Sequence, residues 1–241
     1  MTQTVLRAGG KYFKLLNDEV RAASGDITIE DCAGQRYIAA GQRGKNITIN
    51  GTPGNALGAY LDGCHITVNG NAQDATGDTM NDGMIVINGS AGDALGYGMR
   101  GGKIYVRGYS GYRTGIHMKE YKDKVPVIIV GGAVGSFLGE YQAGGTIIVL
   151  GLGVPDFTVD RFTGTGQHGG RIFVRQRKPP ENLPPQVALS GATDDDMAGI
   201  VPLLGEYAAV FSLPLDEIMA VPFYLLRPNA NNPYNSMYTP N

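Results

Sequence analysis

The stretch GDALGYGMRGGKIYVRG, Gly92 to Gly108, contains Gly96-Tyr97-Gly98-Met99-Arg100-Gly101, a match to G-x-G-x-x-G. That spacing is the phosphate-binding fingerprint of dinucleotide folds, which needs a strand before it and a helix after it. Here Gly101 runs through Gly102 and Lys103 straight into a β-branched, alternating segment, Ile104-Tyr105-Val106. A second match, Gly164-Thr165-Gly166-Gln167-His168-Gly169, likewise runs into Ile172-Phe173-Val174. Neither is followed by a helical period, so both are read as chain corners and not as nucleotide loops.

Outward from this stretch the pattern recurs. Short alternating runs begin at residues 27, 47, 66, 85, 104, 127, 147 and 172, with spacings of 20, 19, 19, 19, 23, 20 and 25. First and third positions are β-branched: Ile47/Ile49, Ile66/Val68, Ile85/Ile87, Ile104/Val106, Val127/Ile129, Ile147/Val149 and Ile172/Val174. Period-two alternation makes each run a strand with those residues on one face. Glycine is 37 of 241 residues, roughly twice its usual share of about 7 %. It recurs after each strand and again near the next bend: Gly51, Gly58, Gly70, Gly77, Gly89, Gly96, Gly108, Gly115, Gly131, Gly139 and Gly151. These corner glycines are expected to supply positive φ angles.

A single unit of this kind cannot bury its apolar face, but stacked units can. The expected fold is all-β: a single-stranded, right-handed parallel β-helix of about seven to eight coils, with short C-terminal α-helices. Eight levels about 4.8 Å apart make a stack of roughly 34 Å. A leucine-rich repeat is excluded because its L-x-x-L-x-L spacing is missing.

Reading equivalent positions as columns exposes the irregularities. Asn55, Asp74, Asp93, Tyr112 and Ser136 form a mostly short polar column suited to capping turn amides. The next column runs Ala56, Ala75, Ala94, Arg113, Phe137, so Arg113 is a long cation where the pattern wants a small residue. Its coil is also four residues longer than its neighbours, and carries Arg107, Arg113, His117, Lys119, Lys122 and Lys124 against Glu120 and Asp123. Such a loop either docks an acidic partner or binds a phosphate, or is simply a solvated insertion. The middle strand residues change from Thr28, Thr48, Thr67 to Val86, Tyr105, Ile128, Ile148, Phe173. A soluble monomer does not leave that apolar face in water, so the later chain is expected to cover it.

The domain plan is therefore a lead-in over 1–26, the β-helix over 27–175, a proline-rich connector over 176–192, and helices with a tail over 193–241 packed on the β-helix. Thr193 serves as an N-cap, Pro202 kinks or restarts the helix, and a second short helix begins at Pro214. The tail is expected to lie as an ordered loop along the surface.

Function classes narrow by composition. The net charge of −2 gives no basic footprint for nucleic acid. No apolar run of membrane-spanning length occurs, and the N-terminus lacks the apolar core of a signal peptide, so a cytoplasmic location is expected and the N-x-S/T sequons are not expected to carry glycans. Cys32 and Cys64 are too few and too far apart for a disulfide framework or C-x-x-C metal pair; both are read as small core residues. His65, His117 and His168 occupy different repeat positions, and no nucleophile elbow, Walker lysine or convergent carboxylate cluster is present. No catalytic, cofactor-binding or metal residue is assigned.

The glycine pattern, in GTPGNALGAYLDG (51–63), GSAGDALGYGMRGGKIYV (89–106), GEYQAGGTIIVLG (139–151) and GTGQHGGRIFV (164–174), resembles the GXGXG domain. That is the C-terminal β-helix domain of the glutamate synthase large subunit, which some prokaryotes encode as a separate chain. DCAGQRYIAAG (31–41) is similar to that family's first coil, and GYRTGIHMKEYKDKVP (111–126) to its stand-alone versions. A more distant resemblance is to the glycine-coil subunit of formylmethanofuran dehydrogenase and of bacterial formyltransferase/hydrolase complexes. The resemblance implies a non-catalytic scaffold holding amidotransferase and FMN-binding subunits, with FMN and iron–sulfur on those partners and none in this chain. A homo-oligomer or a formyl-transfer complex is the alternative. Arg107, Arg113, His117, Lys119 and Lys122 are the candidate docking residues.

Overall fold

The computed structural model describes residues 3–229. Their elements are β1 (Gln3–Arg7), α1 (Phe13–Ala22), β2 (Asp26–Ala33), β3 (Asn46–Thr52), β4 (Asp62–Asn69), β5 (Asp82–Ile87), β6 (Lys103–Val106), β7 (Val127–Val130), β8 (Ala143–Val149), β9 (Gly169–Arg175), β10 (Val187–Gly191), α2 (Asp194–Ala198), α3 (Val201–Phe211), α4 (Leu215–Met219) and β11 (Phe223–Pro228). Strands β1 to β9 pair in chain order, every pair parallel, and β11 then β10 continue the sheet antiparallel. Each strand pairs with the one a coil away, which makes the body a parallel β-helix.

Its interior is two ladders of β-branched side chains. Ile27, Ile47, Ile66, Ile85, Ile104, Ile128, Ile147 and Ile172 stack in register, beside Ile29, Ile49, Val68, Ile87, Val106, Val130, Val149 and Val174. All are buried in one apolar cluster. Burying each such side chain contributes about 1.5–3 kcal/mol, so the stack's stability grows coil by coil. At the first end, Leu16 and Val20 of α1 join the same cluster and close the barrel of coils. Cys32 and Cys64 are buried free thiols in that core, and burial pushes the Cys32 thiol up to about 11.

Four details differ from the sequence reading. The pairing of Ile104 with Ile128 places Ile128 and Val130 inside, and Val127 and Ile129 outside. Ile129, not Ile128, therefore follows Tyr105 in the outer column, and the enlarged coil is five residues longer than nineteen. The lead-in contains β1, which adds a rung below β2, and helix α1. The connector contains strand β10. Of the proposed tail, Phe223–Pro228 is strand β11, paired on both sides, while residues 230–241 lie outside the described residues.

The outer apolar column is covered by the later chain. Tyr105, Ile129, Ile148 and Phe173 form a second buried cluster with Ile200, Leu204, Tyr207, Ala208 and Phe211 of the α2–α3 segment and with Ile218, Phe223 and Leu225. The helix restarts at Pro202, whose missing N–H costs nothing in a first turn: α2 ends before Gly199 and α3 begins at Val201. The Tyr207 hydroxyl donates to the Val106 carbonyl at 3.0 Å, tying α3 to β6, and Lys103 pairs with Glu206 beside it.

Candidate functional site

The corner centred on the second glycine of each coil is built from three left-handed residues at alternate positions. In successive coils they are Ala56/Gly58/Tyr60, Ala75/Gly77/Thr79, Ala94/Gly96/Gly98, Arg113/Gly115/His117 and Phe137/Gly139/Tyr141, every φ lying between 50° and 73°. The middle position points into the core: a Cβ at Gly96 would lie 2.5 Å from Ile128 Cδ1. The flanking two carry large exposed side chains in Tyr60, Arg113, His117 and Tyr141, and buried or half-buried alanines in Ala56, Ala75 and Ala94. The G-x-G in the quoted stretch is the second and third of these corner residues.

The glycines that end the strands divide differently. Gly51 and Gly151 have positive φ, whereas Gly70, Gly89, Gly108 and Gly131 do not. Those four are glycine for space. A Cβ at Gly70 would sit 2.4 Å from the Gly51 carbonyl oxygen of the coil below. The polar column also acts between coils: Asp74 Oδ1 accepts from the Asp93 amide at 2.9 Å, and Asp93 Oδ1 from the Tyr112 amide at 2.8 Å. Asn88, Asn69, Asn50 and Glu30 form a second such ladder of side-chain hydrogen bonds, at 2.8–2.9 Å.

Late coils turn this corner into an aromatic edge. His117 stacks on Tyr141 with centroids 5.2 Å apart and planes 10° apart, and meets Tyr97 edge-on at 5.7 Å. Beside it, Arg113 lies over the Phe137 ring at 5.0 Å, and Phe137 stacks on Phe162 at 4.7 Å. Arg113 also pairs with Glu140 at 3.0 Å. The structure thus joins Arg113 and His117 in one patch and exposes both. Lys119 borders it, two residues past His117. Arg107 sits directly after β6, and Lys122 on the tip of the insertion against Tyr121 at 5.3 Å; neither has a described contact with the patch. Lys124 folds the insertion down onto earlier coils, bonding Asp82 at 2.9 Å and lying 3.8 Å from Asp62. The Lys124 ammonium holds the Asp82 carboxyl below the usual carboxylate range. Sequence reasoning missed Arg100, which the column alignment places directly under Lys119.

Two recesses open on the surface of the described residues. One of about 1310 Å³ opens where the last coil ends, between residues 151–162 and 175–182. Arg175 forms part of its wall, but its guanidinium is taken up by the carbonyls of Ile218, Leu150 and Glu217 at 2.7–3.1 Å. The other, of about 380 Å³, lies at the start of β5 and β6 between His65, Lys124 and Glu206. Among the described residues no three of His, Cys, Asp and Glu come together as metal ligands require, and no helix is long and apolar enough to cross a membrane. His65, His117 and His168 lie in three different columns.

The glycine-cornered repeat places the chain in the GXGXG motif family, whose profile matches residues 15–195. Over 255 aligned positions it is 39 % identical to an uncharacterised protein of Methanocaldococcus jannaschii, MJ1350, covering 100 % of this chain and 98 % of the other. Among solved structures, the fold is similar to a chain of the formyltransferase/hydrolase complex FhcABCD of Methylorubrum extorquens, crystallised with methylofuran. The TM-score is 0.62 at 20 % identity, over 85 % of this chain and 78 % of that one.

Proposed function

We propose that the chain is a non-catalytic scaffold subunit of a multisubunit enzyme complex of the glutamate synthase type. In that assembly glutamine amide nitrogen passes to 2-oxoglutarate on partner subunits that carry the amidotransferase, FMN and iron–sulfur centres. The observation that carries the scaffold reading is how the repeat spends its polar groups. Asp74, Asp93 and the asparagine ladder bond from coil to coil, so they stiffen a rod and are not free to meet a substrate. A stiff rod with one dressed corner holds other proteins at fixed separation.

The second reading places the same rod in a formyltransferase/hydrolase-type complex, and the fold likeness to a chain of FhcABCD favours it. Affinity purification of the tagged chain from its native cells, with mass spectrometry of what remains bound, separates the two. Stoichiometric flavoprotein and amidotransferase subunits are expected. Formyl-transferring subunits in their place establish the second reading. Recovery of the chain alone, or only with copies of itself, overturns the scaffold role.

A further inference from the structure

Two unsatisfied features lie side by side on the aromatic corner. The first is apolar: Tyr97 and Tyr141, on either side of His117, are each 41 % exposed although their rings are already ordered by contact with the imidazole. Exposed tyrosines already packed against a neighbouring ring have less side-chain entropy to lose when a partner covers them, which suits residues that anchor interfaces. The second is electrostatic. The Arg100 amide donates to the Met80 carbonyl at 2.8 Å and the Lys119 amide to the Met99 carbonyl at 3.0 Å, so the two residues are equivalent in successive coils.

Neighbouring coils are about 4.8 Å apart, and like charges opposite one another on such a ladder are destabilising. Both side chains are exposed, and neither has a carboxylate within salt-bridge distance among the described residues. Nearby acids are engaged elsewhere: Glu140 with Arg113, Glu120 with the Gly145 amide at 3.0 Å, and Asp82 with Lys124. The whole enlarged coil, residues 104–126, sets Arg107, Arg113, Lys119, Lys122 and Lys124 against only Glu120 and Asp123, in a chain whose net charge is −2.

We infer that this corner is where a carboxylate-rich segment of a partner subunit docks. Its acids bridge Arg100 and Lys119, and its neighbouring side chains cover Tyr97 and Tyr141. The inference rests on the scaffold reading and names the chemistry of the partner it requires.

Cross-linking of the natively purified complex with a zero-length carbodiimide, which joins amines to carboxylates, is expected to link Lys119 to aspartate or glutamate of another subunit. Recovery of that subunit is expected to fall about tenfold or more, the loss of one strong interfacial contact, in the double variant Arg100→Glu/Lys119→Glu and again in Tyr97→Ala/Tyr141→Ala. The thermal midpoint of the Arg100→Glu/Lys119→Glu variant should stay at the wild-type value. Lys14→Glu, on the exposed side of α1, should recover the partner normally. Undiminished recovery by the Arg100/Lys119 variant overturns this inference while leaving the scaffold role intact. Failure of the wild-type chain to retain any subunit overturns both. Retention abolished by nuclease assigns the two cations to nucleic acid and also overturns it.

Discussion

Residue 96 must be glycine for two reasons and residue 75 has been denied glycine at a cost. Gly96 combines a φ of 66° with a Cβ position 2.5 Å from Ile128 Cδ1. Gly96→Ala is therefore expected to lower unfolding free energy by about 2–3 kcal/mol, from the left-handed backbone and the crowding together. Ala75 sits at φ 55° and is half-buried. Ala75→Gly, normally destabilising, should here range from neutral to about 1 kcal/mol stabilising, because relief of strain competes with a more flexible unfolded chain. Urea midpoints at unchanged slope measure both; a loss of stability in the alanine-to-glycine variant would show that the left-handed conformation is not what strains the corner. The sequence reveals where glycine recurs but not why. Gly70 and Gly96 look alike in one dimension, and only the carbonyl of the coil below, 2.4 Å from a Cβ on Gly70, tells the spatial requirement from the conformational one.

The elements follow the same division between what repeats and what does not. Strands β2 to β4 were legible because one face is Ile/Val and the other is Thr or polar, and β5 and β6 because they keep the nineteen-residue spacing although Val86 and Tyr105 replace the threonines. The run Val127-Ile128-Ile129-Val130 is apolar throughout, since one face meets the core and the other meets α3; alternation there carries no phase, and the repeat pattern alone sets the register one residue early. Likewise β1 and β10 lie outside the repeat, and the Lys124–Asp82 clamp spans 42 residues that no local pattern links. The N-cap at Thr193 was legible, and it has a testable pH signature. Its amide and hydroxyl both donate to Asp196, at 3.0 and 2.8 Å, and hold that carboxyl below the ordinary range. The folded value lies under the unfolded one, so this contribution is complete above the ordinary aspartate range and is lost as pH falls through the lower, folded value. Asp196→Asn should make the thermal midpoint less sensitive to acid over that interval; an unchanged acid limb would remove the cap from the account. For α3 itself, Tyr207→Phe is expected to cost about 1 kcal/mol, at the modest end because the Val106 carbonyl keeps its bond from the Gly131 amide. Chemical denaturation of the two proteins measures it.

At the scale of the molecule, the chain solves one problem in two ways. Early coils turn Thr28, Thr48 and Thr67 toward water, whereas Tyr105, Ile129, Ile148 and Phe173 in the same column need the α2–β11 segment over them. Truncation after Arg177 removes that cover, leaving four large side chains each worth about 1.5–3 kcal/mol of burial on one flat face. The shortened protein is expected to elute from a sizing column as aggregate. Removing β11 also leaves β9 as an open edge, which is itself a template for association. The two causes are separable. Replacing Ile129, Ile148 and Phe173 by threonine in the truncated chain extends the early coils' solution upward without closing the edge. If the apolar face drives aggregation, that variant becomes soluble and monomeric. If it still aggregates, the exposed strand edge is responsible, and the C-terminal segment acts chiefly as an end-cap for the sheet; if the simple truncation is already monomeric, neither surface needs a cover.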